Sequence, residues 1–260
     1  MKLPRLGFTL LLTLGLALSA TLSRAAAPAG RVYELRTYYT EPGKLPNLLA
    51  RFRDHTCALF EKHGMQNIVY WVPADEKDGS ANKLVYLLAH ANREAATASW
   101  KAFGADPAWK EVRTKSEASG KIVSKVEAVF LQTTDFTKAM DAGYKPGAAN
   151  RVFEMRTYTA AEGKLAALDA RFRDHTVALF TKHGMTNLAY FHPTDAAKGA
   201  ANTLLYFMAY PNRGAATAAW KGFREDPVWV KARTESEKDG KLTAKVESVY
   251  LVPVDFSKIK

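Results

Sequence analysis

Hydrophobic and polar side chains alternate along residues 31–39, which is the pattern of a strand with two different environments. The two faces carry Tyr33, Leu35 and Thr37 on one side, and Glu34, Arg36 and Tyr38 on the other. The same split returns along residues 151–159, where Glu154, Arg156 and Tyr158 share the second face. The pattern therefore predicts two strands of one design.

A helical pattern follows the first strand. Between Gly43 and His63, leucine and phenylalanine recur at steps of three and four residues, which predicts an apolar stripe that packs against a sheet. Gly64 comes directly after the basic His63, and glycine is the residue expected just past a helix end. We therefore expect one amphipathic helix from Gly43 to His63.

The rest of this unit predicts two more strands, a helical pair and a last strand. Met65–Val72 and Leu84–Ala91 are apolar, aromatic-rich runs separated by a polar loop, as in a hairpin. Asn92 is a good helix cap, Asp106-Pro107 restarts the helix, and Lys121–Leu131 alternates as a strand. This order indicates an α+β, split βαβ (ferredoxin-like) unit with helices on one face of an antiparallel sheet and the other face bare.

The whole unit occurs twice, at an offset of 120 residues. A period this long indicates two domains rather than solenoid repeats. We divide the chain into repeat one (residues 31–131), a linker rich in turn-forming residues (132–150) and repeat two (151–260). The duplication therefore predicts that the two repeats form a pseudo-dimer within one chain. Several chains could also assemble into a homo-oligomer.

Residues 1–25 have the pattern of an export signal. Lys2 and Arg5 precede an apolar run from Leu6 to Ala20, and small residues follow as a cleavage site. The run is shorter than the roughly 20 apolar residues that a bilayer span needs. We expect cleavage, a periplasmic or secreted product, and no stable membrane insertion afterwards; an uncleaved membrane anchor is the alternative.

Charge and cysteine content narrow the classes of partner. The net charge is +11, but basic and acidic residues are mixed along both repeats, which is typical of a solvated surface rather than a polyanion groove. The single cysteine, Cys57, permits no internal disulfide, so an apolar core must stabilise the fold. We expect no nucleic-acid partner.

Several short motifs together resemble the NIPSNAP family. They are the openings Val32–Tyr38 and Val152–Tyr158, the helix starts Gly43-Lys44 and Gly163-Lys164, the helix ends Lys62–Gly64 and Lys182–Gly184, and Trp100 with Trp220. The resemblance covers nearly all of residues 31–260, once per repeat. It implies the dimeric α/β-barrel form of the ferredoxin-like fold, in which two sheets pack bare face to bare face.

In such a barrel we expect the polar face of the first strand of each repeat to point into the shared interior. Arg36 and Arg156, with Tyr38 and Tyr158, then become ligand-binding candidates, while Glu34 and Glu154 become catalytic candidates. On the functional interpretation, an arginine binds an anionic or carbonyl group and a desolvated glutamate with a raised pKa moves a proton. On the structural interpretation, glutamate and arginine neutralise one another and hold the interface.

Histidines form a second set of catalytic candidates. His55 and His175 flank the apolar stripe of the first helix in each repeat and can reach a cavity mouth, although a structural role is the simpler account. His63 and His183 stand at helix ends, where capping explains them. A metal site needs three or four converging ligands, and no such spacing is present; we expect no metal.

Aromatic side chains with polar tips crowd the second and third strands. Tyr70, Tyr190 and Trp71 suit the wall of a pocket for a flat or greasy ligand, although core packing also explains them. Among the positions of these strands that differ between the repeats, three are informative: Val72 becomes His192, Trp71 becomes Phe191, and His90 becomes Tyr210. We therefore add His192 to the ligand-binding candidates.

Motifs for nucleotide cofactors and for serine hydrolases are absent from the sequence, so we expect no cofactor. The leading hypothesis is an exported NIPSNAP-like protein that binds a small apolar or aromatic molecule in the barrel between the two sheets, with turnover open. One alternative is a non-catalytic interaction or assembly protein that uses the bare sheet faces. A cofactor-free monooxygenase or isomerase is the other, by fold analogy.

Overall fold

The computed structural model describes residues 30–137 and 151–260. In repeat one the elements are β1 (Val32–Thr40), α1 (Leu45–Arg51), a π-helical turn (Phe52–Thr56), α2 (Cys57–Lys62), β2 (Gln66–Pro73), β3 (Lys83–His90), α3 (Arg93–Ala105), α4 (Pro107–Ser116) and β4 (Val123–Thr133). In repeat two they are β5 (Val152–Ala160), α5 (Leu165–Arg171), a π-helical turn (Phe172–Thr176), α6 (Val177–Lys182), β6 (Thr186–Pro193), β7 (Thr203–Tyr210), α7 (Arg213–Glu225), α8 (Pro227–Ser236) and β8 (Thr243–Pro253). The expected order of elements is confirmed in both repeats.

Local chemistry explains where the paired helices begin. The side chain of Asn92 accepts a hydrogen bond from the backbone N–H of Ala95 at the start of α3. Asp106 accepts one from the N–H of Ala108 at the start of α4, and Pro107 is the first residue of that helix. The caps predicted from the sequence are therefore the ones that the fold uses.

The eight strands found in residues 30–137 and 151–260 form one closed antiparallel barrel in the order β1-β3-β2-β8-β5-β7-β6-β4. Each repeat contributes four neighbouring strands, and two short seams join them. One seam pairs β2 with β8, where Val72 lies opposite Val252, and the other pairs β4 with β6, where Gln132 lies opposite His192. The predicted pair of ferredoxin-like sheets is confirmed, and the sheets also close edge to edge.

Apolar side chains from both repeats fill the barrel interior. Trp71 is fully buried, stacks on Phe207 with ring centroids 5.0 Å apart, and lies 5.6 Å from Phe153. Tyr33 meets Phe191 edge to face at 5.1 Å. The bare sheet faces therefore join the two repeats to each other.

The expected direction of the polar face is wrong. Glu34, Arg36 and Tyr38, like Glu154, Arg156 and Tyr158, point toward the helices and not into the barrel. Alternation distinguishes two faces without saying what covers each one. The closed interior takes the more apolar face, because a charge there would meet only the apolar side chains of the other repeat. The helix side can hold the charged face, since the helices bring polar partners to it.

Short extensions after β4 and β8 bind the opposite repeat. Asp135 forms a bidentate ion pair with Arg173, and Asp255 forms the equivalent pair with Arg53. Phe136 packs on Tyr190 in the same way that Phe256 packs on Tyr70. Gln132 and Thr133, which the sequence analysis placed in the linker, belong to β4. Residues 134–137 of that predicted linker lie in the extension after β4, and residues 138–150 lie outside the described residues.

Within the described ranges, we find no helix that is both long and apolar enough to cross a bilayer. The predicted export signal, residues 1–25, lies outside those ranges.

Candidate functional site

A cleft of ≈ 590 Å³ lies in repeat two between the sheet and the helices that cover it. Its floor comes from β5 and β8, and its walls come from α7, α8 and the end of α5. Arg156, Tyr158 and Tyr250 lie on the floor, while Trp220 and Trp229 lie on the helical wall. The cleft is on the opposite side of the sheet from the barrel interior, where the sequence analysis had placed the ligand.

The carboxylate of Glu154 holds this site together. Its Oε1 accepts hydrogen bonds from Arg156 Nη1 at 2.6 Å and from Ser248 Oγ at 2.6 Å. Its Oε2 accepts from Tyr210 Oη at 2.7 Å and from Trp220 Nε1 at 2.8 Å. Four elements, β5, β7, β8 and α7, thus converge on one buried carboxylate.

Because both of its oxygens are occupied by donors, Glu154 is suited to orienting Arg156 rather than to removing a proton from a ligand. The structural interpretation given in the sequence analysis held that glutamate and arginine neutralise one another. The contact between Glu154 and Arg156 agrees with that.

Arg156 carries a positive charge into the floor of the cleft. Its side chain is 16% exposed, and its guanidinium lies 4.3 Å above the Trp220 ring and 5.5 Å from the Tyr158 ring. Burial alone would lower its pKa, but the neighbouring Tyr206, Tyr158 and Glu154 raise the pKa above its usual value, so the charge is permanent. Nη2 makes only a 3.4 Å contact with Tyr158 Oη, which leaves donor capacity for a ligand.

A second guanidinium, that of Arg171, reaches the same cleft from the end of α5. Its Nη1 donates to Glu237 Oε1 at 2.8 Å, and its guanidinium lies 5.2 Å from the centre of the Trp229 ring. The π-helical turn Phe172–Thr176 follows Arg171 directly. Thr176 Oγ1 donates to the carbonyl oxygen of Arg171 at 3.1 Å, which ties the widened turn to the backbone of this residue.

In repeat one, Glu34 is the counterpart of Glu154, and some of its hydrogen-bond partners differ. Glu34 pairs with Arg36 Nη1 at 2.5 Å and Trp100 Nε1 at 2.7 Å, while His90 Nε2 takes the place of Tyr210 at 3.0 Å. Ala128 stands where repeat two has Ser248. Burial alone would raise the pKa of Glu34, but the hydrogen bond from His90 and the charge of Arg36 outweigh it and lower the pKa. The expectation of a raised pKa at Glu34 is therefore wrong.

The histidine candidates lie away from the cleft. His55 and His175 are exposed on the two π-helical turns, and His55 lines a separate surface groove of ≈ 500 Å³ between α1 and α4. His63 binds Asp106 at 2.7 Å, and His183 binds Asp226 at 2.8 Å. These contacts join the end of α2 to the start of α4, and the end of α6 to the start of α8.

The aromatic candidates are divided between the two sides of the sheet. Trp71 lies inside the barrel, whereas Tyr70 and Tyr190 lie under the helices and donate to Asn67 and Asn187. None of the three lines the cleft.

His192 also lies on the helix side of the sheet. It pairs with Asp169 at 3.0 Å; burial would lower its pKa, but this hydrogen bond and one to Thr203 raise it.

In the cleft, the structure thus brings together three of the predicted residues, Glu154, Arg156 and Tyr158. The equivalent Glu34, Arg36 and Tyr38 meet in repeat one. Sequence reasoning missed Arg171, Trp229, Ser248 and Tyr250 as partners in this site. The substitution of His90 by Tyr210 was the available signal, because Tyr210 is one of the four donors to Glu154.

No group of three or more histidine, cysteine, aspartate or glutamate side chains with a geometry suited to a metal ion is found in residues 30–137 and 151–260.

Comparison with known proteins identifies relatives of both repeats. The sequence model of the NIPSNAP family matches residues 33–138 and again residues 153–258. A curated protein of Dictyostelium discoideum, named "Protein NipSnap homolog", is 23% identical over 228 residues, which cover 86% of this chain and 88% of that protein.

Solved structures share the whole-chain fold. A protein from Fusobacterium nucleatum named "Putative monooxygenase" has a TM-score of 0.57 at 10% identity and covers 89% of this chain and 99% of its own. A "putative monooxygenase" from Lactobacillus acidophilus has a TM-score of 0.53 at 12% identity and covers 86% and 93%. At these identities the likeness concerns the fold alone.

Proposed function

This chain belongs to the NIPSNAP family, and from that premise we propose that it is an exported protein that binds a small molecule with an aromatic or apolar body in the cleft of repeat two. The observation that carries the proposal is Arg156, a charged side chain held in the floor of a ≈ 590 Å³ cleft by a fully hydrogen-bonded carboxylate. Ligand sites of small molecules commonly have this size and combine aromatic walls with a few fixed polar groups.

The lining of the cleft specifies what the ligand looks like. Trp229 offers a flat surface for an aromatic or apolar body. Trp220 and Tyr250 also line the cleft, but guanidinium groups of Arg156 and Arg213 cover one face of each ring. Arg156 and Tyr158 offer hydrogen-bond donors to a carbonyl or acidic oxygen. An aromatic carboxylate has both features, so it is a suitable probe.

Isothermal titration calorimetry with 1-naphthoate tests this proposal. We expect one molecule to bind per chain, and we expect Arg156→Gln to weaken binding about tenfold, equivalent to about 1.4 kcal/mol. Arg36→Gln is the matched control, because it removes the equivalent arginine of repeat one and leaves the cleft untouched. Equal affinities of the wild type and Arg156→Gln would contradict the site, and native mass spectrometry of the purified chain would then identify any co-purified molecule.

A second candidate function is the cofactor-free oxygenation or isomerisation of such a ligand. The observation in its favour is the shared fold with two proteins that are named monooxygenases. Incubation of the protein and its co-purified molecule in air and under argon, followed by mass spectrometry, tests oxygenation. A product formed only in air that has gained both atoms of O2, or has gained one oxygen atom and lost two hydrogen atoms that leave with the other oxygen as water, supports oxygenation. An unchanged mass contradicts oxygenation.

The export part of the proposal is supported by the charged start and apolar run of residues 1–25. The N-terminal sequence of protein recovered from the exported fraction tests it. We expect the mature chain to lack these residues, and an intact Met1 in that fraction would contradict cleavage.

A further inference from the structure

The mouth of the cleft in repeat two is lined by exposed basic side chains. Arg224 at the end of α7, Arg233 in α8 and Lys241 before β8 line the cleft itself. The cleft borders a groove of ≈ 360 Å³ that shares Arg224, Trp229, Arg233 and the acidic Glu237 with it and adds Lys238. We call Arg224, Arg233, Lys238 and Lys241 the mouth cations.

The mouth cations are less neutralised than the arginines on the floor. Arg156 pairs with Glu154 at 2.6 Å, and Arg171 pairs with Glu237 at 2.8 Å. Arg233 lies 3.4 Å from Glu237, which it shares with Arg171. Within the described part of the chain, no carboxylate forms an ion pair with the other three mouth cations. The positive charge that no carboxylate neutralises therefore lies at the mouth of the cleft.

Repeat one lacks half of this cluster. Gly104 and Ala118 occupy the positions of Arg224 and Lys238, whereas Arg113 and Lys121 match the other two. Repeat two also gains the acidic residues Glu225 and Asp239 beside the new cations, but neither of these lines the cleft or the groove. Val230, which also lines the groove, replaces Lys110 of repeat one, so the lining of the cleft and the groove gains two cations, loses one, and is more positive by one charge.

We propose that the mouth cations bind a doubly charged anionic group, such as a phosphate monoester, at one end of the ligand. This inference rests on the proposed function and extends it to a ligand with two polar ends. The flat body lies along Trp229, which lines both the cleft and the groove, and the opposite end reaches Arg156. A dianion gains more than a carboxylate here, because each additional unpaired cation adds an attractive interaction.

Calorimetry with three probes of one aromatic body tests the inference: 1-naphthyl phosphate, 1-naphthoate and neutral 1-naphthol. At about pH 8 the phosphate monoester carries close to two negative charges. We expect the wild type to bind the phosphate about tenfold more tightly than the carboxylate at fixed ionic strength. In the double variant Arg224→Gly/Lys238→Ala, we expect this advantage to fall to about twofold, with little change for naphthoate.

The double variant carries residues that repeat one already uses at these positions, and both sites are exposed, so the fold is expected to persist. The control Lys221→Ala/Lys231→Ala removes two exposed cations that line neither opening. If the control reduces the phosphate advantage equally, general electrostatic attraction explains it and the inference is wrong. Equal affinity for phosphate and carboxylate overturns the inference but leaves the proposed function, whereas no binding of any probe contradicts both.

Discussion

Glu34 and Glu154 stand at equivalent positions, yet different donors surround them. Tyr210 and Ser248 donate to Glu154 in repeat two, while His90 and Ala128 stand at those positions in repeat one. The alternation of β1 and β5 predicts that these glutamates are buried beside an arginine. It does not predict the partners, since these come from strands and helices that are distant in sequence. Single-residue roles therefore depended on the tertiary fold.

We expect Glu34→Gln to destabilise the protein by about 3 kcal/mol at neutral pH, because Arg36 loses its buried partner. The pKa of Glu34 is lowered from the ordinary value of 4.5. A carboxylate with a lowered folded-state pKa stabilises the fold above its unfolded-state pKa, and this stabilisation is lost as the pH falls through the folded-state pKa. The stability difference between wild type and variant should thus narrow below about pH 4.5.

Urea unfolding of both proteins from pH 7 to pH 3 measures that difference. Glu111→Gln is the control, because Glu111 is an exposed carboxylate with a lowered pKa, and its loss should change stability little at any pH. A difference for Glu34→Gln that stays constant with pH would show that its charge is not the stabilising feature.

At the scale of elements, one helix was expected between Gly43 and His63, and the structure interrupts it with a π-helical turn at Phe52–Thr56. The apolar stripe predicts which face meets the sheet, and Leu48, Phe52 and Phe60 are indeed buried there. The turn itself was not predicted, because a local widening of the helix leaves the spacing of these few residues compatible with an ordinary helix. The turn ends at Thr56, a polar residue that is buried.

We expect Thr176→Val to cost about 1 kcal/mol of unfolding free energy, because the widened turn relies on the Thr176 hydroxyl to satisfy the carbonyl of Arg171. Thr97→Val is the matched control. Its hydroxyl also bonds a backbone carbonyl, that of Arg93, but on an exposed helical surface where water can replace it. Chemical denaturation of the two variants measures the effect, and equal costs would argue against a special role for the turn.

At the scale of the whole molecule, the sequence supports the two repeats, their element order and the meeting of the bare sheets. The error was the identity of the bare face. Tyr33 and Leu35 were assigned to the helix side because that side needs apolar contacts, but Leu84, Tyr86 and Leu88 of β3 already supply them. The barrel interior needs apolar side chains more strictly than the helix side does, because the other repeat covers it. Moving the charged face to the helices also moved the candidate site there.

The pseudo-symmetric seams predict how repeat two behaves alone. Residues 151–260 on their own would expose Phe153, Phe191 and Phe207, which are fully buried in the complete barrel. The same fragment also keeps Asp255 and Phe256, the counterparts of the residues that bind Arg173 and Tyr190 in the complete chain. A second copy can therefore replace repeat one at both seams.

We expect the fragment to form a homodimer, measured by size-exclusion chromatography with light scattering and compared with the complete chain. Phe153→Arg in the fragment should prevent this dimer, because it places a charge in the closed interior. A fragment that remains monomeric and folded would mean that the apolar sheet face does not drive the assembly of the two halves.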